Sequence, residues 1–278
     1  MATAKDILVA PIAAQDAGAL IRRVHYSGKV TRNSQLHFGV FIAGKLEGAM
    51  QFGPSMDKRK LQGLVSGTLW NGFIELNRMA FSEKLPRNSE SRALSIAFML
   101  MRKHYPHIEW VVSFADATQC GDGTIYRASG FVLTQVNPNR TLYRVPAGIV
   151  SKMTMTKDRH ILKGGDRIVA DMTIKTGARI SKGGGAGLAV LREMGGTLLP
   201  GFQMRYVYFL NPAARSRLTV PVLPFSSIRE AGAAMYRGKK ASEASDDRPP
   251  AVQRRGSADP DAPNYARTET ETNLPTRA

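Results

Sequence analysis

With a single cysteine, Cys120, the chain cannot close an internal disulfide, so its fold must rest on a core rather than on covalent staples. It also lacks any uninterrupted apolar run of roughly 18 residues, the length that a helical membrane span needs. The start, residues 1–16, carries Lys5 and a short apolar run from Ile7 to Ala14 broken by Pro11, which fits neither a secretory leader nor a span. These absences lead to the expectation of a cytoplasmic protein with no membrane partner. Negative charge is scarce as well: 22 Asp and Glu stand against 39 Lys and Arg, a formal net charge of +17. An excess of that size attracts polyanions over long range, and nucleic acid is the commonest one inside cells. A lipid-binding helix would need a long amphipathic stretch with a Lys-rich face, and the sequence offers none.

What is present is an ordinary globular composition, 43% hydrophobic and 22% charged, in a chain long enough for one large domain. Residues 6–12 read as a first strand and 14–24 as a helix with Ala17, Leu20, Ile21 and Val24 on one face. Residues 36–42 and 46–52 flank Ala43-Gly44-Lys45 and predict a hairpin. A basic loop covers 53–67, and 73–81 is the next strand. From Asn88 to Tyr105, Leu94, Ala97, Phe98 and Met101 recur at helical spacing with Ile96 and Leu100 widening the stripe, and Asn88 or Ser89 stands at the N-cap. Residues 108–114 are nearly continuously apolar, as in a central strand buried on both faces. A short helix at 124–129 closed by Gly130, and a strand from Phe131, complete an α/β order. Further on, short strands near Leu142 and Met153, a glycine-rich loop at 183–187, a helix at 188–194, a strand at 204–210 and an extended stretch at 217–228 are expected. From Arg237 large apolar residues almost vanish. The expected organisation is one domain over 1–236 and a disordered tail over 237–278.

The richest stretch for chemistry runs from Glu75 to Phe131. One strand ends in Arg78; a loop delivers Arg87, Asn88, Ser89, Ser91 and Arg92 to a helix start; a second strand ends in Asp116, with Tyr126 following. In an open sheet, ligands gather where strands end and helices begin, because free amides and the positive end of the helix dipole point there. Structural readings stand beside this one: Ser89 and Ser91 as capping residues, Asp116 as an Asx-turn residue, Tyr126 as a core aromatic and Cys120 as a small loop residue. A charged Arg78 on a strand face with Ile74, Leu76 and Ala80 is costly without a partner, which favours a functional role for it.

Four motifs in order, Phe73-Ile-Glu-Leu-Asn-Arg-Met, Pro86-Arg-Asn-Ser-Glu-Ser-Arg, Val112-Ser-Phe-Ala-Asp and Gly123-Thr-Ile-Tyr-Arg-Ala-Ser-Gly-Phe, resemble the core of the phage Mom family. The strand Arg205-Tyr-Val-Tyr-Phe-Leu and the segment from Arg217 to Phe225 extend the resemblance over about residues 6–238. It implies a single domain of the GNAT acyltransferase type, α/β with a mixed sheet. It also implies modification of adenine N6 in double-stranded phage DNA to a carbamoylmethyl (acetamido) form that protects against host restriction. The family's functional set falls on Arg78, Ser91, Asp116 and Tyr126. Acetyl-CoA or another acyl-CoA is the implied small-molecule donor, with Arg87, Asn88, Ser89 and Arg92 at its pyrophosphate. The chain departs from the usual Gln/Arg-x-x-Gly-x-Gly/Ala loop of acetyltransferases, since Arg87 to Ala93 contains no glycine. The resemblance further implies iron, with His25 and Tyr26 as the matching pair, although metal sites need three or four converging donors.

Two other readings remain open at this point. A generic acetyltransferase acting on a protein, a tRNA or a small amine shares the core without needing a broad basic surface. A non-enzymatic DNA-binding protein needs the surface but not Arg78, Asp116 and Tyr126. For DNA contact the candidates are Lys58, Arg59 and Lys60, with Arg205 and Arg215 also available to hold the backbone. Tyr26, Phe38, Trp70 and Tyr126 are candidates to stack on an extruded base.

Overall fold

A computed structural model describes residues 2–146, 148–152, 191–192, 195–236 and 239–240. The main strands are β1 (Leu8–Pro11), β2 (Leu36–Ile42), β3 (Lys45–Gly53), β4 (Phe73–Phe81), β5 (Trp110–Ala117), β6 (Val132–Pro138) and β10 (Phe202–Phe209). These seven form one mixed sheet in the order β1-β2-β3-β4-β5-β10-β6. All neighbours run antiparallel except β4 and β5, which are parallel. A separate small sheet pairs β7 (Leu142–Val145) with β8 (Gly148–Ser151) and β9 (Thr197–Leu198). The fold is thus α/β with a mixed sheet, as the sequence pattern led us to expect.

The helices cover the two faces of the sheet unequally. Helix α3 (Ser89–His104) buries Ala93, Leu94, Ala97, Phe98 and Met101 against Phe38, Met50, Phe52, Ile74, Leu76 and Val111. The apolar stripe read from the sequence is the stripe that packs. Helix α1 (Ala14–Val24) lays Ala17, Leu20 and Ile21 on Ala49 and Ala80 on the opposite face. Helix α2 (Lys58–Gln62) belongs to a second cluster on that face, where Leu61, Leu64 and Val65 meet Phe73, Trp110, Val112 and Val207. Trp110 stacks on Phe73 at 4.4 Å and donates its indole N–H to Thr68 Oγ1 at 3.0 Å. The loop expected over 53–67 therefore contains a helical turn, because Leu61 has a core to enter.

Other boundaries also moved. The hairpin turn places Ala43 (φ 47°) and Gly44 (φ 73°) in left-handed geometry, which is what a two-residue connection between twisted strands requires. Asn88 occupies the N-cap position of α3 but makes no side-chain cap bond, and its backbone is left-handed at φ 70°. Asn is among the few non-glycine residues that tolerate that region. The expected extended stretch over 217–228 begins at the end of a 3-10 turn, Pro212–Arg217, and ends in helix α5 (Ser226–Glu230). The strand near Met153, the glycine-rich loop and most of the helix at 188–194 lie outside the described residues. So does the expected tail at 237–278, apart from Lys239–Lys240, whose backbone pairs with Met235–Tyr236.

Gly123, which leads into helix α4 (Thr124–Ala128), has φ 80°, and a Cβ there would lie 2.4 Å from the Tyr206 ring. That ring is fully buried and donates its hydroxyl to the Asp122 carbonyl. Gly123→Ala should therefore cost more than Gly44→Ala, where φ is similar but nothing lies within 4 Å. We expect roughly 1–2 kcal/mol for the backbone strain alone at Gly44 and about 1–3 kcal/mol more at Gly123 from overpacking. Urea unfolding of both variants measures the difference; equal losses would refute the steric account.

Candidate functional site

The site is built on an interruption in the sheet. β4 and β5 pair only through Phe73↔Trp110, Ile74↔Val111 and Glu75↔Val112. Beyond these, β4 follows β3 and β5 follows β10, so the carboxyl ends of the two parallel strands diverge. Ser113 Oγ donates to the Leu76 carbonyl at 3.3 Å across the start of the gap. The gap opens where ligands collect in α/β sheets.

A bulge on β4 decides which side chains face it. The pairing jumps from Phe52↔Leu76 to Gln51↔Arg78, leaving Asn77 as the extra residue. Without that residue Glu75 and Arg78 would point to opposite faces. With it both lie on the α1 side, close enough for the Arg78 charge to act on the Glu75 carboxyl. Gly53 allows this, since a Cβ there would stand 2.7 Å from Asn77 Oδ1 and 2.6 Å from Ser34 Cα. Asn77 Oδ1 accepts from Ser34 Oγ at 3.0 Å.

Arg78 is held by its own backbone surroundings. Nε donates to the Lys29 carbonyl at 3.0 Å and Nη1 to the Asn77 carbonyl at 2.6 Å. Strand β4 runs on through this residue to Phe81, with the bounds that the sequence pattern predicts. Asp116, near the end of β5, accepts at Oδ1 from the Thr118 amide (3.0 Å) and hydroxyl, and at Oδ2 from Gln119 Nε2 (3.2 Å) and the Tyr26 hydroxyl (3.4 Å). Tyr126 comes from the other face, packed on Phe131 and Tyr206 at 5.2 Å each. Its hydroxyl is hydrogen-bonded to Ser113, and burial pushes its pKa up to about 12, so it keeps its proton. Burial, with the Asp116 charge beside it, also raises the Tyr26 phenol.

The start of α3 opens on the same side of the sheet as Tyr126. A groove of about 410 Å³ is lined by Ala4, Asn88, Ser91, Arg92, Ser95, Phe98 and residues of α4 and β10. A second depression of about 490 Å³ next to it touches Lys5, Pro86, Arg87 and Asn88. The side chains of Ser91 and Arg92 thus line the groove, whereas Ser89 is fully buried and turns its hydroxyl to the Pro86 carbonyl at 2.6 Å. Ser91 Oγ donates to the Asn88 carbonyl at 3.1 Å and keeps its lone pairs for an incoming donor.

The structure thus brings Arg78, Asp116, Tyr126 and Tyr26 together at the gap and places Ser91 with Arg92 on the groove. His25 sits against Tyr26, ring centroids 4.3 Å apart. Its Nδ1 accepts from the Ser27 amide at 3.2 Å and lies 2.9 Å from the Ser27 hydroxyl. Among the described residues no three His, Cys, Asp or Glu side chains converge on a point that could hold a metal ion. With Nδ1 committed to Ser27, the His25–Tyr26 pair does not fit the iron site that the resemblance implied. Phe38 is only 3% exposed in the core and cannot stack on a base. Trp70 is exposed, but it lies beyond the amino end of β4 with Lys58 Nζ 4.7 Å from its ring centroid. Lys58 also donates to Asn71 Oδ1 at 3.1 Å, whereas Arg59 and Lys60 are exposed.

Sequence reading passed over Glu75, Asn77 and Ser113. The signal for the first was a carboxylate three positions before an arginine within an apolar strand, but only the bulge puts the two on one face.

Comparison with known proteins then decides the family. The model of the Mom protein family matches residues 6–227. The chain belongs to the Mom protein family. A curated relative, methylcarbamoylase mom of Escherichia phage Mu, is 35% identical over 215 residues, 77% of this chain and 80% of the relative. Solved structures resemble this Mom family member more distantly. The ribosomal-protein-S18-alanine N-acetyltransferase of Escherichia coli gives a TM-score of 0.38 at 10% identity, covering 73% of this chain and 94% of that one. A GNAT family acetyltransferase from Elizabethkingia anophelis gives 0.32 at 14% identity, covering 48% and 81%. Among the described residues no helix is long and apolar enough to cross a membrane.

The geometry at α1 makes a titration prediction. Burial, with the Arg78 charge adding to it, lowers the His25 pKa to about 4. Because the folded value lies below the unfolded 6.5, the folded state binds fewer protons between those limits. Stability from this group is present above about pH 6.5 and drains away as pH falls toward 4. Imidazole NMR should show a neutral ring at about pH 6, and Arg78→Ala should raise the midpoint without restoring 6.5, since burial is the larger cause. A midpoint unmoved by Arg78→Ala would break the proposed proximity.

Proposed function

We propose that this protein is a DNA-modifying enzyme that converts N6 of adenine to a carbamoylmethyl form, and that it binds an acyl-CoA as a small-molecule donor. The observation that carries the reading is the gap between β4 and β5 lined by Arg78, Asp116 and Tyr126, in a chain 35% identical to methylcarbamoylase mom of phage Mu. The net charge of +17 supports a polyanionic substrate.

The donor groove at α3 suits a phosphorylated carrier. Arg92, beside Ser91 on the groove wall, supplies guanidinium donors where the positive end of the helix dipole favours anions. Arg87 and Asn88 flank it on the adjoining depression. The missing glycines of the usual pyrophosphate loop are offset in part by the left-handed Asn88, which turns the chain as a glycine would. When bound, the acyl-CoA would supply an activated acyl group. Ser89, being buried, supports the loop from inside rather than touching the carrier.

The chain's own residues then divide the work. Asp116, fixed by Thr118 and Gln119, orients or accepts the N6 proton. Arg78 is anchored through Nε and Nη1, which leaves Nη2 free of acceptors among the described residues and able to face negative charge developing on a carbonyl oxygen. Tyr126, protonated throughout the physiological range, would donate to the same charge by turning its hydroxyl away from Ser113. Because N6 of paired adenine is stacked within the duplex, the base must be opened or extruded first. The family's product is joined through a methylene carbon, so acyl transfer at a carbonyl carbon is not the whole reaction.

Mass spectrometry of nucleosides from cells expressing the protein tests the reading. Wild type should yield carbamoylmethyl-adenine. Arg78→Ala and Asp116→Ala should lower it by roughly 100-fold or more, as losses of charge-stabilising or proton-transfer groups do. Tyr126→Phe should fall between. Unmodified adenine in the wild-type sample would end the proposal, and an N6-acetyl product would keep the site but replace the transferred group. In parallel, Arg92→Ala should weaken acetyl-CoA binding in calorimetry while leaving DNA affinity unchanged. Replacing Lys58, Arg59 and Lys60 together should flatten the salt dependence of DNA binding by about two to three phosphate contacts. Parity with wild type in either assay would remove the assigned role.

A further inference from the structure

On the face covered by α1 and α2, most large side chains of the sheet are hidden: Trp110, Val112 and Val207 are fully buried, as are Ala49 and Ala80 nearer α1. Phe114, on the interior strand β5, is not. It lies on β5 between Val112 and Asp116, on the same face as both, and 41% of it is exposed. A lone exposed apolar side chain is ordinary. What stands around this one is not.

Directly opposite Phe114 on β10 is Arg205, and opposite Asp116 is Gln203. Side chains opposed in this way have Cβ atoms about 4.5–5.5 Å apart. The Arg205 guanidinium is fixed by Thr134, with Nε donating to Oγ1 at 2.9 Å and Nη2 toward the carbonyl at 3.5 Å. Among the described residues no carboxylate pairs with it, although it is half-buried. A partly desolvated cation without a counter-ion invites an anion. Beside it a flat, exposed ring invites a planar group, and the reacting carboxylate comes two residues after that ring.

We propose that Phe114 and Arg205 form a stacking platform for a nucleobase drawn out of a DNA strand, with Phe114 under the ring and Arg205 on the phosphate attached to it. The assignment deepens the DNA-modification reading and names the surface that presents adenine to Asp116. Phe114 replaces Phe38 and Trp70 as the base-stacking aromatic. Its place in the register, on the α1 side of the gap, leaves the α3 groove free for the donor.

The test uses the full chain with single-stranded oligo(dA) carrying one 2-aminopurine, whose fluorescence falls on stacking, alongside adenine modification in cells. Wild type should quench the probe. Phe114→Ala should abolish the quench and lower modified adenine by roughly 5- to 100-fold, the span of losing one base–aromatic stack, while Phe114→Trp restores both. Arg205→Ala should weaken oligonucleotide binding and reduce its salt slope by about one contact. If Phe114→Ala fails to fold, Phe114→Leu keeps apolar bulk without a ring and should show the same losses. Wild-type quench and yield in a folded variant lacking the ring overturn the platform and leave the DNA-modification reading standing. A wild-type protein that quenches through Phe114 but leaves adenine unmodified keeps the platform and overturns that reading. Absence of quench by the wild type overturns the platform outright.

Discussion

Two parallel strands that stop pairing after Glu75 and Val112 set the terms for the rest of this structure. A sheet cannot simply part, because each freed amide and carbonyl must find a partner or water. Here the strands stay satisfied on their outer sides, β4 by β3 and β5 by β10, so only the facing edges are released. The core beneath stabilises the opening. Leu76 and Ala115 remain buried under α3, and Ser113, fully buried, ties the start of the gap to the Leu76 carbonyl. The gap is thus backed by packed core, and residues from both faces of the sheet reach it.

The bulge at Asn77 is the second constraint and depends on the first. β4 must keep its ladder with β3 while turning Arg78 onto the face that carries Glu75, and an extra residue is the way a strand changes its facing without losing its partner. Gly53 opposite leaves room for Asn77. The arrangement places a cation beside a buried carboxyl whose pKa burial raises, in spite of hydrogen bonds from Ser55 and Asn77. Glu75 therefore belongs to the electrostatics of Arg78, whatever reacts above it.

Much of this was legible in the sequence, and the parts that were not share a cause. Helix α1 and the stripe of α3 follow from periodicity, and the central position of β5 follows from its unbroken apolar run. The hairpin at Ala43-Gly44 follows from turn chemistry. By contrast, strand alternation gives no warning of a bulge, so Glu75 and Arg78 were not read as a pair. The burial of Ser89 was hidden because a serine at a helix start reads equally as a cap or as a ligand donor. Phe38 stood among the aromatics read as candidates to stack on a base, but its strand position points it into the core. Phe114 was hidden by the same run that marked β5 as buried: continuous apolarity predicts cover on both faces, and here one face leaves Phe114 exposed. The chain's family likeness supplied residues, and the geometry supplied their sides.

The protonation states at the gap limit the kind of chemistry the residues can do. His25 is held neutral by burial and by the Arg78 charge, while partial burial, joined at Tyr26 by the Asp116 charge, raises the phenols of Tyr26 and Tyr126. Asp116 already accepts from Thr118, Gln119 and Tyr26, so its carboxylate is fixed in direction. Such a set offers hydrogen-bond donors and one permanent cation, and little strong base. A nucleophile as weak as an aromatic amine, whose lone pair is drawn into the purine ring, is not made reactive by proton removal alone. It gains more from donors that stabilise charge appearing on its partner. On the DNA-modification reading proposed above, a centre of this composition would work by fixing the acceptor base and receiving negative charge, and the orientation of the base against Asp116 would matter as much as any proton transfer.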